Sequence, residues 1–354
     1  MKLSQIYQGV GGWMEGEGPE SDIVISSRVR LARNIAGYHF FAHATADEQA
    51  EVLNLVHKNL MATKLKDQLW YLEMNDTTPL ERQLLIERHL ISKELAEGEG
   101  PRAVALTHDE TLALMINEED HLRIQMMAGG LQLKETYQHI CLVDDMLEEK
   151  MDYAFSPQYG YLTACPTNVG TGIRVSAMLH LPGLKMTGEI EKVFRAAKDM
   201  RLAVRGLYGE GSEPIGDFFQ LSNQTTLGKT EEEIIDQLVK HAVEPIVAYE
   251  RLARRKLLEE RLTALDDKIY RARGILTHAR LISSDETLYM LSYIRLGIHL
   301  KRIKNVSIEM MNRLFLLTKP SHLQHLYQEP IFSPKSQLLK GVKVYQFSLR
   351  QAVK

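Results

Sequence analysis

Alternation of apolar and polar residues predicts several short strands in the first two thirds of the chain. The runs that show it are residues 23–25, 103–106, 112–116 and 122–126. Such alternation is typical of strands with one buried face. Between these runs, apolar residues at helical spacing predict helices over residues 46–60 and 79–95. Strands and helices do not alternate regularly, so the pattern favours an α+β fold with an antiparallel sheet flanked by helices.

Helical spacing dominates the last third of the chain. Thr230 and Glu233 form a capping-box signature, and the apolar repeat that follows them predicts a long helix. A similar signature at Ser283 precedes a second apolar repeat, and residues 308–317 predict another helix. We therefore expect this part to be all-helical, apart from a basic stretch from Ser336 that fits the helical pattern poorly.

Composition narrows the class of protein. Of the 354 residues, 44% are hydrophobic and 25% are charged, which is ordinary for a soluble globular protein, and no apolar run is long enough to span a membrane. The start lacks the segments of a signal peptide, and Cys141 and Cys165 cannot build a disulfide framework. A net charge of -3 gives no reason to expect nucleic-acid binding. We predict a cytoplasmic protein without direct membrane or nucleic-acid contact.

Two segments place arginines on predicted strands. In "SSRVRLARN", Arg28 and Arg30 are two residues apart, so on a strand both side chains leave the same face. The segment "NEEDHLRIQ" lies between two alternating runs and predicts a hairpin, with Glu118 and Glu119 at its tip and Arg123 on its second arm. Each segment alone is equally compatible with a solvated strand face or a charged surface hairpin.

Two glycine-containing segments add further cations. "CPTNVGTGIR" runs from Cys165 to Arg174, and its glycines permit a close backbone approach in which amide groups point at an anion. "RGLYGEGS" begins at Arg205 and carries Glu210 on a glycine-rich loop. Each could also be a plain surface turn.

Together the four segments supply five arginines and two loop carboxylates. A buried arginine is unfavourable without a partner, and guanidinium forks match phosphate oxygens. The chain has neither a P-loop nor the H-R-D and D-F-G motifs of protein kinases. We therefore predict that the arginines converge on the phosphates of a nucleotide.

With these residues assembled, the sequence resembles the ATP:guanido phosphotransferase family, and within it the bacterial protein arginine kinases. "SSRVRLARN", "NEEDHLR" and "CPTNVGTGIR" resemble three signature segments in the family's order, and "MLHLPGL" and "YGEGSEPIGDFFQLSNQTTLGKTEEEII" extend the resemblance. It implies a catalytic domain of the guanido kinase and glutamine synthetase type and an ATP-dependent phosphotransferase.

The resemblance also implies the site residues. The implied ATP-binding residues are Ser26, Ser27, Arg28, Val29, Arg30, His89, Arg123, Arg174, Val175, Ser176, Ala177, Met178, Arg205, Gly206, Leu207, Tyr208, Gly209 and Glu210. The implied catalytic residues are Glu119, Glu210 and Cys165. Mg²⁺ is the implied cofactor, held mainly through the ATP phosphates, and no residue is predicted as a metal ligand.

The chemistry of the acceptor explains the carboxylates. A guanidinium with a pKa above about 12 stays protonated and non-nucleophilic. A carboxylate that accepts hydrogen bonds from two of its N–H groups can orient it and remove a proton. We assign this role to Glu119, with Glu210 holding the opposite side once its loop closes. Cys165 is expected to place a thiolate against the guanidinium without acting as a covalent nucleophile.

The expected acceptor is an arginine of a protein. Small-molecule guanido kinases carry a helical domain before the first arginine motif, whereas few residues precede Ser26. An open acceptor site is therefore expected. The alternatives are a kinase of free arginine or another guanidino compound, and a binding protein that acts mainly as an adaptor.

We predict three parts along the chain: a lead-in over residues 1–22, a catalytic domain over residues 23–253, and a helical domain over residues 254–354 for dimerisation or partner docking. The apolar faces of the C-terminal helices suit dimerisation or partner docking, and we predict a homodimer. The resemblance also implies a heat-shock repressor, a Clp chaperone–protease and a zinc-binding activator as partners. The RDxxRA motif with which such kinases recognise phosphoarginine does not occur, and the divergent basic tail takes its place.

Overall fold

The computed structural model describes residues 9–206 and 216–327. The strands of this part are β1 (Val24–Arg33), β2 (Leu69–Glu73), β3 (Ala103–Thr107), β4 (Leu112–Ile116), β5 (Leu122–Gly129), β6 (Phe155–Ser156), β7 (Gly160–Tyr161), β8 (Ile173–His180), β9 (Leu202–Arg205) and β10 (Phe218–Asn223). The helices are α1 (Ala46–Met61), α2 (Pro79–Glu87), α3 (Lys93–Glu97), α4 (Leu133–Glu148), α5 (Pro182–Thr187), α6 (Ile190–Asp199), α7 (Glu231–Leu238), α8 (Glu244–Glu260), α9 (Leu262–His278), α10 (Ser284–His299), α11 (Ile308–Leu317) and α12 (Pro320–Tyr327).

Eight strands form one antiparallel sheet in the order β2-β3-β4-β5-β1-β8-β10-β9. Strands β6 and β7 form a separate hairpin. The predicted α+β class with an antiparallel sheet is confirmed.

Strand β1 lies in the middle of the sheet and carries both predicted arginines. Val29 and Leu31 are fully buried on one face, and Arg28 and Arg30 alternate with them on the other. The strand predicted over residues 23–25 is longer than expected and includes the arginine segment. Hydrogen bonding to β5 on one side and β8 on the other holds that segment extended.

Helices α1, α4 and α7 cover the apolar face of the sheet. Val56 of α1, Ile140 of α4 and Leu238 of α7 are fully buried in the same hydrophobic core as the inward side chains of β1. Each such side chain contributes roughly 1.5–3 kcal/mol through removal of apolar surface from water. Helix α1 begins where a capping box between Thr45 and Glu48 satisfies its first N–H groups. On the opposite face, Val104 of β3 and Met115 of β4 pack with α2 and α3 in a smaller hydrophobic cluster, and the arginines lie on the part of that face formed by β1 and its neighbours.

The helix predicted over residues 79–95 is interrupted in the structure. Helix α2 ends at Glu87, and α3 begins at Lys93 with Ser92 as its N-cap. His89 adopts a φ of +60°, which cannot continue a right-handed helix. The apolar spacing runs on through the break, so the sequence pattern does not show it.

The long helix predicted after Thr230 is present, with one irregular turn. The capping box with Glu233 starts α7, and residues 239–243 form a π turn before α8. Pro245 is the second residue after this turn and lies in the first turn of α8. A proline has no N–H to donate, and its ring displaces the carbonyl of the preceding turn, which a wider turn accommodates.

Side chains from α8 to α11, with Leu323 of α12, build a second hydrophobic core. The segment before β1 lies between the sheet and these helices, because Trp13 and Met14 pack with Met127 of β5 and Leu316 of α11. Among the described residues, no helix combines the length and apolar character needed to cross a membrane.

A buried ion pair at the end of β1 provides a test of the fold. Nη2 of Arg33 lies 2.7 Å from Oδ2 of Asp144 on α4, and both side chains are almost fully buried. We expect Asp144→Asn to lower the free energy of unfolding by about 3 kcal/mol, because it leaves a buried guanidinium without its counter-charge. Urea unfolding measures the difference. The control is Asp267→Asn in the exposed pair with Arg271, and equal losses in both variants would contradict this assignment.

Candidate active site

A cleft of about 520 Å³ lies on the polar face of the sheet. The predicted site residues that line it are Arg28, Arg30, His89, Glu119, Arg123, Cys165, Arg174 and Arg205. The strand register explains why the arginines meet, since Arg30 lies directly opposite Arg174 on β8 and Gln125 on β5. The five arginines thus come together from four strands that are distant in sequence.

The cleft concentrates positive charge in a buried place. Burial lowers the pKa of Arg28 to about 10, and repulsion from other cleft arginines adds to the shift. Burial also lowers the pKa of Arg30, with Arg28 as the strongest repelling neighbour. Nε of Arg30 is buried and makes no hydrogen bond to any described residue. Such a group of cations is stabilised by a bound polyanion.

Two adjacent carboxylates at the turn between β4 and β5 have different environments. Glu118 is buried and accepts hydrogen bonds from Nη1 of Arg123 at 2.6 and 2.8 Å. Glu119 is partly exposed, and its Oε2 lies 3.9 Å from the same nitrogen. Burial raises the pKa of Glu119 against the lowering effect of Arg123, and the neighbouring acids add to the rise. For Glu118, attraction and hydrogen bonding outweigh burial, so its pKa is lowered. Glu119 is therefore the better proton acceptor of the two.

The loop after Cys165 places the thiol at the cleft. Sγ of Cys165 lies 3.0 Å from Oγ1 of Thr167, within hydrogen-bond reach. The expectation that glycine amides of this loop point at an anion is not met at Gly170, because its N–H donates to the carbonyl of Tyr161. Gly170 has a φ of +113°, and a Cβ there would lie 2.8 Å from the carbonyl oxygen of Thr226. The glycine is needed for close packing of two loops.

A smaller cavity of about 40 Å³ adjoins the cleft. Ser26, Ser176 and Met178 line it from the sheet, and Arg28 and His89 line both spaces. Its far wall comes from α10 and α11. Burial lowers the pKa of the His89 imidazole to about 3, so this ring is neutral at physiological pH. The cavity is more apolar than the cleft.

Four of the predicted nucleotide-binding residues place their side chains elsewhere. Val29, Val175 and Ala177 are fully buried in the hydrophobic core, because strand alternation turns every second residue away from the cleft. The hydroxyl of Ser27 donates to the carbonyl of Gly130 and so fixes the end of β5. These side chains support the site without lining it.

The structure describes only the first two residues of the RGLYGE segment. Gly206 follows the cleft residue Arg205 at the end of β9. Leu207, Tyr208, Gly209 and Glu210 lie outside the described residues. The predicted meeting of Glu119 with a second carboxylate therefore stays a prediction.

Two polar residues on the cleft face were not among the predicted site residues. Gln220 of β10 lines both the cleft and the smaller cavity, and Gln125 of β5 donates through Nε2 to the carbonyl of His89. A polar side chain between apolar neighbours in "FFQLSN" was the available signal for Gln220. Within residues 9–206 and 216–327, no group of three or more His, Cys, Asp or Glu is arranged to hold a metal ion.

Comparisons with known proteins agree with this geometry. The family model for the ATP:guanido phosphotransferase C-terminal catalytic domain matches residues 51–253, and the model for the protein-arginine kinase McsB C-terminal domain matches residues 262–343. Lombricine kinase has a similar structure, with a TM-score of 0.59 and 26% identity over 71% of this chain and 70% of that one. The duplicated taurocyamine kinase of Schistosoma mansoni is also similar in structure, with a TM-score of 0.57 and 25% identity over 70% of this chain and 34% of that one.

The chain belongs to the ATP:guanido phosphotransferase family and is an ATP-dependent phosphotransferase. Its curated relatives place it with the protein-arginine kinases. The protein-arginine kinase of Pelotomaculum thermopropionicum is 44% identical over 90% of this chain and 92% of the relative. That of Halalkalibacterium halodurans is 46% identical over 90% of both. The alternative of an adaptor that has lost catalysis is therefore set aside.

The contrast between the two carboxylates can be measured directly. We expect Glu119 to titrate above the pKa of an ordinary glutamate and Glu118 below it. As pH rises, Glu118 therefore loses its proton first, and Glu119 stays protonated to a higher pH. Carboxyl-carbon NMR, assigned with the variants Glu118→Gln and Glu119→Gln, follows each titration. Titration of Glu118 above Glu119 would contradict the geometry.

Proposed function

We propose that the protein transfers the γ-phosphoryl group of ATP to the guanidinium of arginine side chains in proteins. The observation that carries this proposal is the single cleft in which five arginines surround a space bordered by Glu119 and Cys165. The names of relatives at 44% and 46% identity support arginine in proteins as the acceptor.

In the proposed reaction the arginines hold the phosphates of ATP. Guanidinium groups fixed by the sheet stabilise the charge that develops on the transferred phosphoryl group and the departing diphosphate, with little reorganisation. Mg²⁺, when bound with ATP, neutralises part of the phosphate charge. The described residues around the cleft fit a metal held by phosphate oxygens and water, because the nearest buried carboxylate, Glu118, is occupied by Arg123.

In the same proposal, Glu119 acts on the acceptor. Its carboxylate accepts hydrogen bonds from the guanidinium, aligns the attacking nitrogen with the γ-phosphorus and takes up the proton that this nitrogen loses. The N–P bond forms as the bond between the γ-phosphorus and the bridging oxygen breaks, and ADP leaves with those electrons. Glu210 supports the other side of the guanidinium, and Cys165 contributes a further contact through sulfur.

The proposal extends to the arrangement of the chain. We place the catalytic domain at residues 23–253, after a lead-in over residues 1–22, and a docking or dimerisation domain at residues 254–354. The change from the first hydrophobic core to the second between Ala253 and Leu257 supports this division. We further propose a cytoplasmic homodimer. The family resemblance supports a role in marking proteins for a Clp-type protease, in controlling a heat-shock repressor and in responding to a zinc-binding activator.

A direct assay tests the activity and its acceptor. The protein is incubated with ATP and Mg²⁺, and either with an unfolded arginine-containing protein or with free arginine. We expect acid-labile phosphate on the protein substrate. Phosphoarginine formed only in solution would support the alternative kinase of free guanidino compounds, and absence of both products would contradict the proposal.

Substitution of the proposed base gives a sharper prediction. We expect Glu119→Gln to reduce phosphoryl transfer by at least about 100-fold, because the amide cannot accept the proton. Nucleotide affinity, measured by calorimetry with ADP, should stay near the wild-type value. Glu97→Gln on α3 is the matched control, since this exposed carboxylate does not line the cleft. Normal turnover in Glu119→Gln would contradict the role.

The arginine cluster makes a separate prediction. Arg30→Lys keeps a positive charge but loses the planar fork, so we expect kcat/KM for ATP to fall about 100-fold. Arg271→Lys, on the exposed surface of α9, is the control and should leave the rate unchanged. Equal kinetics in the two variants would show that Arg30 does not contact the nucleotide.

A further inference from the structure

A buried polar cluster joins the end of α2 to the start of α12. Glu87, the last residue of α2, accepts hydrogen bonds from the backbone N–H of Ser321 at 3.1 Å, from the Ser321 hydroxyl at 3.1 Å and from Nδ1 of His322 at 3.1 Å. All three residues are at least 96% buried. The carboxylate thus caps the first turn of α12, where N–H groups point outward and a negative charge is favourable.

The next residue along the chain continues the cluster. The Arg88 guanidinium donates through Nε and Nη2 to the two oxygens of Glu110 at 2.8 and 2.6 Å, and its Nη1 lies 3.3 Å from Nε2 of His322. An arginine N–H can only donate, so Nε2 of His322 accepts and its Nδ1 carries the proton given to Glu87. The ring is therefore neutral and holds both residues at once. We call Glu87, Arg88, Glu110, Ser321 and His322 the α2–α12 bridge.

His89, which directly follows Arg88 of the bridge, belongs to the site. His89 lines both the cleft and the smaller cavity, its ring packs edge-on against Trp13, and its carbonyl accepts a hydrogen bond from Gln125 at 2.8 Å. Its φ of +60° lies in the left-handed region, which is unfavourable for a residue with a Cβ, so contacts of the flanking residues help to hold it. The bridge fixes the two residues immediately before it.

A second connection reaches the same place from α11. Met311 and Phe315 form part of the wall of the smaller cavity opposite Arg28 and His89. Nζ of the fully buried Lys319, which precedes α12, lies 4.8 Å from the ring centroid of Phe315. The pKa of His89 is lowered by burial, by the charge of Arg28 and, third in size, by the charge of Lys319. The C-terminal helices therefore share the wall of the smaller cavity with His89 and act on its ring through the charge of Lys319.

We propose that the α2–α12 bridge is a positioning device, through which docking of α12 sets the conformation of His89 and thereby the affinity of the cleft for nucleotide. This inference rests on the proposed function. Buried ion pairs and hydrogen-bonded charges are poor sources of stability compared with apolar packing, but they fix one arrangement of the groups they join. Coupling of this kind is reciprocal, so a bound nucleotide also stabilises the docked position of α12.

The chain offers a matched control for a merely structural role. Glu250 on α8 is also fully buried, and it caps the start of α5 by accepting from the N–H groups of Gly183 and Leu184 at 2.9 and 2.8 Å. It also pairs with Arg254. None of these residues lines the cleft or the smaller cavity. Loss of either carboxylate should destabilise the fold in a similar way, but only Glu87 adjoins the site.

The first experiment separates affinity from stability. Steady-state kinetics and thermal unfolding are compared for Glu87→Gln, Ser321→Ala and Glu250→Gln. We expect KM for ATP to rise about tenfold in the first two variants with kcat within about threefold of wild type, and Tm alone to fall in Glu250→Gln. Ser321→Ala removes a single side-chain hydrogen bond, so it keeps the test valid if Glu87→Gln fails to fold. Unchanged KM in a folded bridge variant, or an equal rise in Glu250→Gln, would overturn the inference.

The second experiment tests reciprocity without turnover. Hydrogen exchange of the peptide that covers residues 318–327 is measured with and without ADP. We expect ADP to slow exchange in the wild-type protein and in Glu250→Gln, and to have less effect in Ser321→Ala. If ADP does not bind the wild-type protein, the proposed function fails. If ADP binds but leaves α12 unchanged, only the positioning role fails.

Discussion

Like charges held side by side on one face of a sheet are the constraint on which the rest of the structure depends. Arg30 on β1 lies directly opposite Arg174 on β8, and like charges at such cross-strand positions repel each other. Burial adds to the cost, as the lowered pKa values of Arg28 and Arg30 show. The apolar opposite face, covered by three helices, supplies the stability that tolerates this arrangement. Fixed in this way, the cations form a preorganised receptor for a polyanion.

The same sheet separates two neighbouring carboxylates by function. Strand register brings Arg123 close to the turn that carries both, yet only Glu118 is inserted far enough to form a short ion pair. Its neighbour Glu119 keeps a raised pKa and a partly exposed position on the cleft. One acid thus neutralises a cation, and the other remains available to a cationic acceptor. Sequence spacing alone gives both residues the same appearance.

Much of this arrangement could be predicted from sequence, because it follows from strand periodicity. Alternation along β1 gave the shared face of Arg28 and Arg30, and the pattern around "NEEDHLRIQ" gave the β4–β5 hairpin. The same alternation explains why not every residue of a predicted nucleotide-binding motif lines the cleft. Val29 and Val175 belong to such motifs, but their side chains point into the core. Side-chain direction, rather than motif membership, decides which residues line the cleft.

Other features depend on partners that are far away in sequence. His89 interrupts a pattern that continues to look helical, and the groups that stabilise its left-handed conformation come from β5, the N-terminal segment and α12. No local sequence pattern marks this position, because its causes are tertiary hydrogen bonds to groups between 36 and 235 residues away along the chain. For the same reason, the C-terminal helices are not structurally independent of the sheet, because they hydrogen-bond to the end of α2 next to the site. Through Arg88 and its neighbours, their docking and the geometry of the cleft are determined together.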